Sequence, residues 1–260
     1  MSERVFTEIV LQFFIYALIG WLWETSLKAF KEHRFVDTGF LIGPITPIYG
    51  FGVVGVVYLL RPWQNQVVLL FVLATLLVTA LEYLTGFLLE KMFHTKWWNY
   101  ANVPLNIQGY VALPISLFWG ICCVLIIKFV QPEVLLLVSH LQQRFGFILP
   151  VILIALGSFD FGFTLANLQS FRAKMQKLNQ AIEERRAELS TGVAGLRQDV
   201  HESWDDFLEK YPQRRAHLTN LNFGQRHLLR SFPNMKVENA SNHMDELKEL
   251  VNALRKKHQK

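Results

Sequence analysis

The sequence predicts an all-α, polytopic membrane protein with about five transmembrane helices and a cytoplasmic helical tail. Two observations support this prediction: 52% of the 260 residues are hydrophobic, and charged residues are concentrated in the last third of the chain. A helix needs ~20 mostly apolar residues to cross a bilayer. Five stretches meet that length, at about residues 5–27, 40–60, 67–89, 107–130 and 147–168. The lipid bilayer is therefore the first partner that we expect.

The distribution of charge divides the chain into two predicted domains. Residues 1–169 hold nine Lys or Arg and nine Asp or Glu, whereas residues 170–260 hold seventeen and twelve, which accounts for the net charge of +5. We predict a transmembrane domain over 1–169 and a basic cytoplasmic tail over 170–260. In the tail, heptad-like spacing predicts that the fifth helix continues to about residue 192. Further helices are expected over about 193–210 and after residue 241.

The loops between the predicted spans indicate the orientation. The first loop carries Lys28, Lys31 and Arg34, and the third carries Lys91 and Lys96. Short loops rich in Lys and Arg stay in the cytoplasm. The basic tail lies on the same side after five crossings. We therefore predict an N-terminus outside and a C-terminus in the cytoplasm.

The second predicted span begins with a segment that ordinary helix packing does not explain. Residues 39–52 contain four glycines and two prolines, Pro44 and Pro47, in an otherwise apolar run. Proline removes a backbone donor and interrupts a helix. In a membrane, interrupted backbone is tolerated only where protein or a wet cavity satisfies it. We expect residues 44–49, with Tyr49 at their end, to form a gate or a binding element.

Four acidic residues are placed by the predicted topology in the cytoplasmic half of the membrane. Glu24 lies in span one, Glu82 and Glu90 in span three, and Asp160 in span five, each on a stripe of polar or small residues. Intramembrane acids are costly and normally face a protein interior or water. The alternatives are an interfacial position for Glu24 or Glu90, a pairing of Glu24 with Lys28 one turn later, and an interhelical hydrogen bond for Glu82. We predict that the four acids line a cavity open to the cytoplasm.

An aromatic loop follows span three. It contains Trp97, Trp98 and Tyr100, with Asn106 shortly after them. Such aromatic residues also form interfacial belts, which is the alternative explanation. As a functional element, the loop would cover the mouth of the predicted cavity, and Asn106 would supply a neutral polar contact.

The sequence lacks the motifs that are typical of several classes of enzyme and ATPase. The sequence has no G-x-x-x-x-G-K-[ST], no G-x-S-x-G, no H-E-x-x-H and no C-x-x-C. The chain therefore has no P-loop ATPase of its own, and we expect no cofactor, no metal site and no catalytic residue of a known type. The tail's basic surplus is diluted by acids, so we expect no nucleic-acid binding.

A set of short motifs along residues 8–130 resembles a known family. The motifs are Gly20-Trp21-Leu22-Trp23-Glu24, residues 39–44 and 47–52, Glu82-Tyr83, Glu90-Lys91-Met92-Phe93, Trp97-Trp98-Asn99-Tyr100, Asn106 with Gly109, and Trp119-Gly120. They are similar to those of the CmpB-like, type IV ABC-transporter permeases, a family of small bacterial membrane proteins. The resemblance implies a multi-pass protein of the bacterial cell membrane. The family more often has Asp at the position of Asn99, so this chain lacks one acid at the expected mouth.

Three functions remain open from the sequence. The first is a permease-like subunit with an acidic cavity, which needs a separate ATPase on its cytoplasmic face if it depends on ATP. The second is a membrane-embedded enzyme acting on a lipid-linked substrate, with Glu82 and Glu24 as general acid and base. The third is a non-catalytic scaffold that recruits protein partners through the tail. The absence of a nucleophile or metal motif weighs against the enzyme.

Overall fold

The structure is a computed structural model of the 260-residue chain. It describes residues 2–33, 35, 37–93, 95–192, 223–224, 227, 231 and 236–237. The helices predicted over 193–210 and after residue 241 lie outside the described residues. The chain divides into two compact units, Met1–Leu165 with His227–Met235, and Ala166–Arg226 with Lys236–Lys260.

The predicted all-α class is confirmed. The helices are α1 (Glu3–Glu32), α2 (Pro47–Leu59), α3 (Val67–Phe93), α4 (Leu113–Leu125), α5 (Gln131–Phe145) and α6 (Ile148–Gly192). A 3₁₀ turn covers Arg61–Trp63, and a π-helical turn over Ile126–Val130 joins α4 to α5. The described strands are two residues long: β1 (Thr95–Lys96), β2 (Asn106–Ile107), β3 (Val111–Ala112) and β4 (Lys236–Val237). β2 pairs antiparallel with β3, with Asn106 opposite Ala112.

Four helical stretches in the described part of the chain are long and apolar enough to cross a membrane. They are Glu3–Glu32, Val67–Phe93, Leu113–Phe145 and Ile148–Ser170. The stretch predicted over 40–60 differs, because only Pro47–Leu59 is helical and the residues before it are irregular. The stretch predicted over 107–130 starts later, at residue 113, and continues through the π-helical turn to residue 145.

Proline residues mark where three helices begin. Pro47, Pro114 and Pro132 each lie in the first turn of a helix, α2, α4 and α5 respectively. At the starts of α2 and α4 a proline is tolerated because its missing N–H would have no partner in the helix, whereas Pro132 follows the π-helical turn within the continuous stretch Leu113–Phe145. Pro114 therefore starts α4. The start of α1 is capped instead by Ser2, whose Oγ accepts a hydrogen bond from the Val5 N–H at 3.4 Å.

The apolar core of the first unit lies where α1, α2 and α5 meet, with α3 and α4 alongside. Its buried side chains include Leu11 on α1, Val56 on α2, Leu70 on α3, Cys123 on α4 and Val134 on α5. Many other apolar side chains on these helices are exposed, as expected for surfaces that contact lipid. Both cysteines are free.

Glycines allow close approach between helices in this core. A Cβ atom added to Gly50 on α2 would lie 2.8 Å from the backbone carbonyl oxygen of Phe13 on α1. The backbone of neither helix can move to make room for this atom without separating α1 from α2. A Cβ atom at Gly55 on the same helix would meet nothing within 4 Å.

We predict that Gly50→Ala destabilises the protein, because the added methyl group must push α1 and α2 apart. Overpacking of this kind costs about 1–3 kcal/mol. Gly55→Ala is the matched control, and it should leave stability unchanged or raise it by up to about 1 kcal/mol because alanine favours helix. Thermal unfolding of both variants in detergent measures the difference. Equal melting temperatures would contradict the contact between α1 and α2.

Candidate functional site

The irregular segment before α2, residues 38–46, makes several of its backbone hydrogen bonds with other parts of the protein. The N–H of Thr46 donates to the carbonyl of Ala17 within α1 at 3.0 Å, and the N–H of Ile45 donates to Gly43 O at 2.8 Å. Thr38 at the start of the segment shares a buried hydrogen bond of 2.7 Å with Thr25 of α1. Gly39 has a φ of 108°, a conformation that glycine adopts without strain.

Asp160 holds the middle of this segment. Its Oδ1 accepts from the backbone N–H of Ile42 at 3.1 Å, and its Oδ2 accepts from that of Gly43 at 2.8 Å. Thr164, one turn later on α6, donates a further hydrogen bond to Oδ1 at 3.3 Å. A Cβ atom at Gly43 would lie 2.8 Å from Oδ2, so only glycine fits beneath the carboxylate. Both oxygens of Asp160 are thus engaged with protein.

Glu24 is paired with a tyrosine from the start of α2. The hydroxyl of Tyr49 donates to Glu24 Oε1 at 2.9 Å. The Tyr49 ring lies against Gly20, where a Cβ atom would collide with the ring, and packs edge-on against Trp119 of α4 with centroids 5.4 Å apart. Glu24 is also within electrostatic reach of Lys28, one turn along α1.

Glu82 is paired in the same way with a tyrosine from the aromatic loop. The side chains of Tyr100 and Glu82 form a hydrogen bond, and Tyr100 also interacts electrostatically with Glu24. Burial raises the pKa of Tyr100, and the carboxylate of Glu82 raises it further, so the phenol remains a hydrogen-bond donor. Tyr49 in turn lies within electrostatic reach of Glu82 and Tyr100. We call Glu24, Tyr49, Glu82 and Tyr100 the acid–tyrosine cluster.

The aromatic loop packs over α3 and reaches the irregular segment. Trp97 is buried and meets Phe40 edge-on, with ring centroids 5.2 Å apart. The indole N–H of Trp98 donates to the carbonyl of Tyr110 at 2.8 Å. Both Trp98 and Tyr110 lie against Gly86 of α3, where a Cβ atom would be 3.0 Å from each ring. The loop and the segment are therefore contiguous.

Glu90 lies apart from the acid–tyrosine cluster. Its carboxylate is hydrogen-bonded to Tyr110 and lies 3.7 Å from the ammonium of Lys96. That ammonium also donates to the carbonyl of Gln108 at 2.7 Å and lies 4.3 Å from the centre of the Tyr110 ring. Glu90 therefore anchors the end of the loop to α3.

The remaining predicted site residues have local roles in the structure. The side chain of Asn106 donates to the carbonyls of Ala101 and Val103, and its oxygen accepts from the Gly109 N–H at 3.1 Å. Its amide is thus used by the loop itself. Pro44 is exposed in the irregular segment, and Pro47 starts α2.

Two residues late in the chain contact the start of the irregular segment. His227 Nε2 lies 3.2 Å from the carbonyl oxygen of Gly39, and its Nδ1 lies 3.6 Å from the carboxylate of Asp37. The hydroxyl of Ser231 donates to the Asp37 carbonyl at 3.1 Å, while Lys28 donates to the Ser231 carbonyl at 3.0 Å. The other oxygen of Asp37 accepts from the indole N–H of Trp21.

A second polar network, which the sequence reading missed, lies at the other end of α1. Glu8 Oε1 accepts from the Tyr58 hydroxyl at 3.0 Å and from Gln12 Nε2 at 3.2 Å. Gln131 Nε2 donates to Gln12 Oε1 at 2.9 Å, and the Tyr16 hydroxyl donates to Gln131 Oε1. We call these five residues the Glu8 network. One signal was present: Glu8 precedes Gln12, Tyr16, Gly20 and Glu24 at the same spacing of four.

The comparison with protein families identifies the chain. The model of the family described as "Putative ABC-transporter type IV" matches residues 11–165, which is more than half of the chain. The chain belongs to this family. The search of curated proteins and the search of solved structures returned no match.

The type IV ABC-transporter family match contains the acid–tyrosine cluster, the irregular segment, the aromatic loop and Asp160. It supports a multi-pass, transporter-like membrane protein, as predicted. Within the described residues, no group of three or more His, Cys, Asp or Glu is arranged to hold a metal ion.

We predict that Asp160→Asn weakens the hold of α6 on the irregular segment. Asparagine offers one acceptor oxygen, so one of the N–H groups of Ile42 and Gly43 would face an NH₂ group instead. Leaving one buried donor unsatisfied costs about 1–3 kcal/mol. Thermal unfolding in detergent measures the loss, and Glu133→Gln, at an exposed acid of α5, is the control. A melting temperature equal to that of the control would rule out this role for Asp160.

Proposed function

We propose that this protein is the membrane-embedded, permease-like subunit of a transporter, and that its acid–tyrosine cluster binds a cationic solute. One observation carries the proposal: Glu24 and Glu82 lie in apolar helices, and the carboxylate of each is hydrogen-bonded to a tyrosine hydroxyl. The two pairs also interact with each other through Tyr49 and Tyr100. Such an arrangement concentrates negative charge at one place in the membrane domain.

The chemistry of the cluster favours an organic monocation. Two carboxylates in apolar surroundings are stabilised when a cation lies between them. Aromatic faces attract cations as well, by about 0.5–2 kcal/mol each. Tyr49, Tyr100 and Trp119 supply such rings beside the carboxylates. The tyrosine hydroxyls orient the carboxylates and leave their other lone pairs for the solute.

Access to the cluster would be controlled by the segment and the loop that border it. The irregular segment leads into Tyr49, and the aromatic loop carries Tyr100. The two elements meet at the contact between Phe40 and Trp97. A displacement of either element would therefore expose or cover the cluster. On the predicted orientation, this opening faces the cytoplasm of a bacterial cell, as do residues 170–260.

A separate ATPase is the partner that the proposal requires if transport is driven by ATP. The family is described as an ABC-transporter type, and the sequence has no phosphate-binding loop of its own. The ATPase would dock on the cytoplasmic face, beside the loop that precedes α4. Gentle solubilisation followed by identification of co-purifying proteins tests for it.

We predict saturable binding of tritiated tetraphenylphosphonium to the purified protein in detergent. Glu24→Gln and Glu82→Gln should each weaken binding at least tenfold, because each removes one of the two charges that hold the cation. A tenfold loss corresponds to about 1.4 kcal/mol. Tyr100→Phe should weaken it less, since the carboxylate remains. A scintillation proximity assay measures the affinities.

Two matched controls accompany these variants. Glu133→Gln removes an exposed acid of α5, and Tyr83→Phe removes a hydroxyl that donates to Gln108 outside the cluster. Both should bind like the parent protein. Binding that survives the loss of both Glu24 and Glu82 would refute the proposed cation site.

A chemically altered lipid formed from membrane extract would favour the enzyme instead. Loss of function on deleting 170–260, with no effect of the Glu variants, would favour the scaffold.

A further inference from the structure

Two residues from the segment predicted as a cytoplasmic tail lie against the start of the irregular segment. His227 and Ser231 are four positions apart, a spacing that places two side chains on the same side of a helical turn. Both are buried, with exposures of 7% and 8%, and both belong to the same compact unit as α1. We call these two residues the tail clasp.

The tail clasp is joined to α1 through the residues that precede the irregular segment. His227 Nε2 lies 3.2 Å from the carbonyl oxygen of Gly39, and its Nδ1 lies 3.6 Å from Asp37 Oδ2. The hydroxyl of Ser231 donates to the carbonyl of Asp37 at 3.1 Å. Asp37 Oδ1 in turn accepts from the indole N–H of Trp21 on α1 at 2.8 Å. Asp37 therefore connects the clasp to the helix that carries Glu24.

Lys28 of α1 links the tail clasp to the acid–tyrosine cluster. Its ammonium group donates to the backbone carbonyl of Ser231 at 3.0 Å, in partly buried surroundings. The same charge interacts electrostatically with the carboxylate of Glu24, which lies one turn earlier on α1. A lysine near the end of an apolar helix normally extends its ammonium group into water. The Ser231 carbonyl instead holds this charge within reach of Glu24.

A positive charge beside Glu24 competes with a cationic solute. When ionised, Glu24 and Glu82 carry two negative charges, and Lys28 offsets one of them. Charges interact more strongly in partly buried surroundings than in water. A cation that enters the acid–tyrosine cluster is therefore repelled by Lys28, and it is repelled less when the lysine ammonium moves into water.

We infer that the tail clasp sets the cation affinity of the acid–tyrosine cluster through Lys28. While the clasp is docked on Asp37 and Gly39, the Ser231 carbonyl keeps the lysine charge near Glu24 and the affinity is low. When the clasp leaves, the ammonium group turns to water and the affinity rises. The clasp is thus an autoinhibitory contact, and this inference rests on the proposed cation site.

The first measurement needs no solute. The full-length protein in nanodiscs is treated with an amine-acetylating reagent, and mass spectrometry gives the rate of reaction of each lysine. Lys31, exposed about one turn after Lys28, is the internal reference. We expect Lys28 to react about tenfold more slowly than Lys31, because a hydrogen bond made by a charged group is equivalent to about that factor.

Substitutions in the clasp should release the lysine. His227→Ala and Ser231→Ala, singly and together, should raise the rate of Lys28 towards that of the reference lysine, whose own rate should stay constant. The matched control is His140→Ala with Ser26→Ala, at exposed positions of α5 and α1, and it should react like the parent protein. A Lys28 rate that no clasp variant raises would overturn the clasp, whether or not the protein binds a cation.

The second measurement is the binding of tritiated tetraphenylphosphonium to the same variants. The double clasp variant and Lys28→Gln should each bind the cation about fivefold more tightly than the parent, which corresponds to about 1 kcal/mol. Lys28→Arg keeps the charge and should bind more weakly than Lys28→Gln. In the Lys28→Gln background, the clasp substitutions should have no further effect, because they act through the lysine charge.

The outcomes separate this inference from the proposed function. Equal or weaker binding by the clasp variants, or a clasp effect that persists in Lys28→Gln, would overturn the control of affinity through Lys28. A parent protein that binds no cation would refute the proposed cation site instead, and the acetylation rates would then decide the clasp alone.

Discussion

The need to satisfy backbone groups within the membrane governs how this protein is built. The irregular segment before α2 has amide groups that no helical hydrogen bond of its own satisfies. Asp160 accepts two of them, and the carbonyl of Ala17 accepts a third. These bonds fix where α6 and α1 lie against the segment. They also fix the direction in which α2 starts, and hence the position of Tyr49 beside Glu24. The acid–tyrosine cluster thus depends on a carboxylate that is not part of it.

α1 connects the two polar sites of the membrane domain. Its polar and small residues recur every four positions from Glu8 to Glu24, and this spacing winds slowly around a helix of 3.6 residues per turn. One end of the stripe therefore meets α2 and α5, while the other meets α2 and lies near the aromatic loop. Gly20 is one residue of this stripe, and the ring of Tyr49 fills the space beside it.

The sequence predicted the helical class and singled out the residues of the acid–tyrosine cluster. It did not predict the hydrogen bonds that these and neighbouring side chains make. Hydropathy and the cost of intramembrane acids point to Glu24 and Glu82 from composition and spacing alone. The sequence could not show that Asp160 accepts hydrogen bonds from backbone N–H groups, because that contact depends on the path of a distant loop. Gln131 was missed for a similar reason. It directly follows the predicted fourth span, which ends at residue 130, whereas in the structure the helix continues past the π-helical turn and Gln131 is buried.

The contacts of His227 and Ser231 with residues 37–39 bear on how the protein is made. Ribosomes deliver the chain from its N-terminus, so α1, the irregular segment and α2 enter the membrane long before residue 231 is synthesised. Until then the carbonyl groups of Asp37 and Gly39 lack the partners that they have in the finished protein. The segment that leads into the acid–tyrosine cluster is therefore completed only after residue 231 has been synthesised. Biosynthesis thus separates the insertion of this segment from the formation of its last contacts by nearly 200 residues of chain.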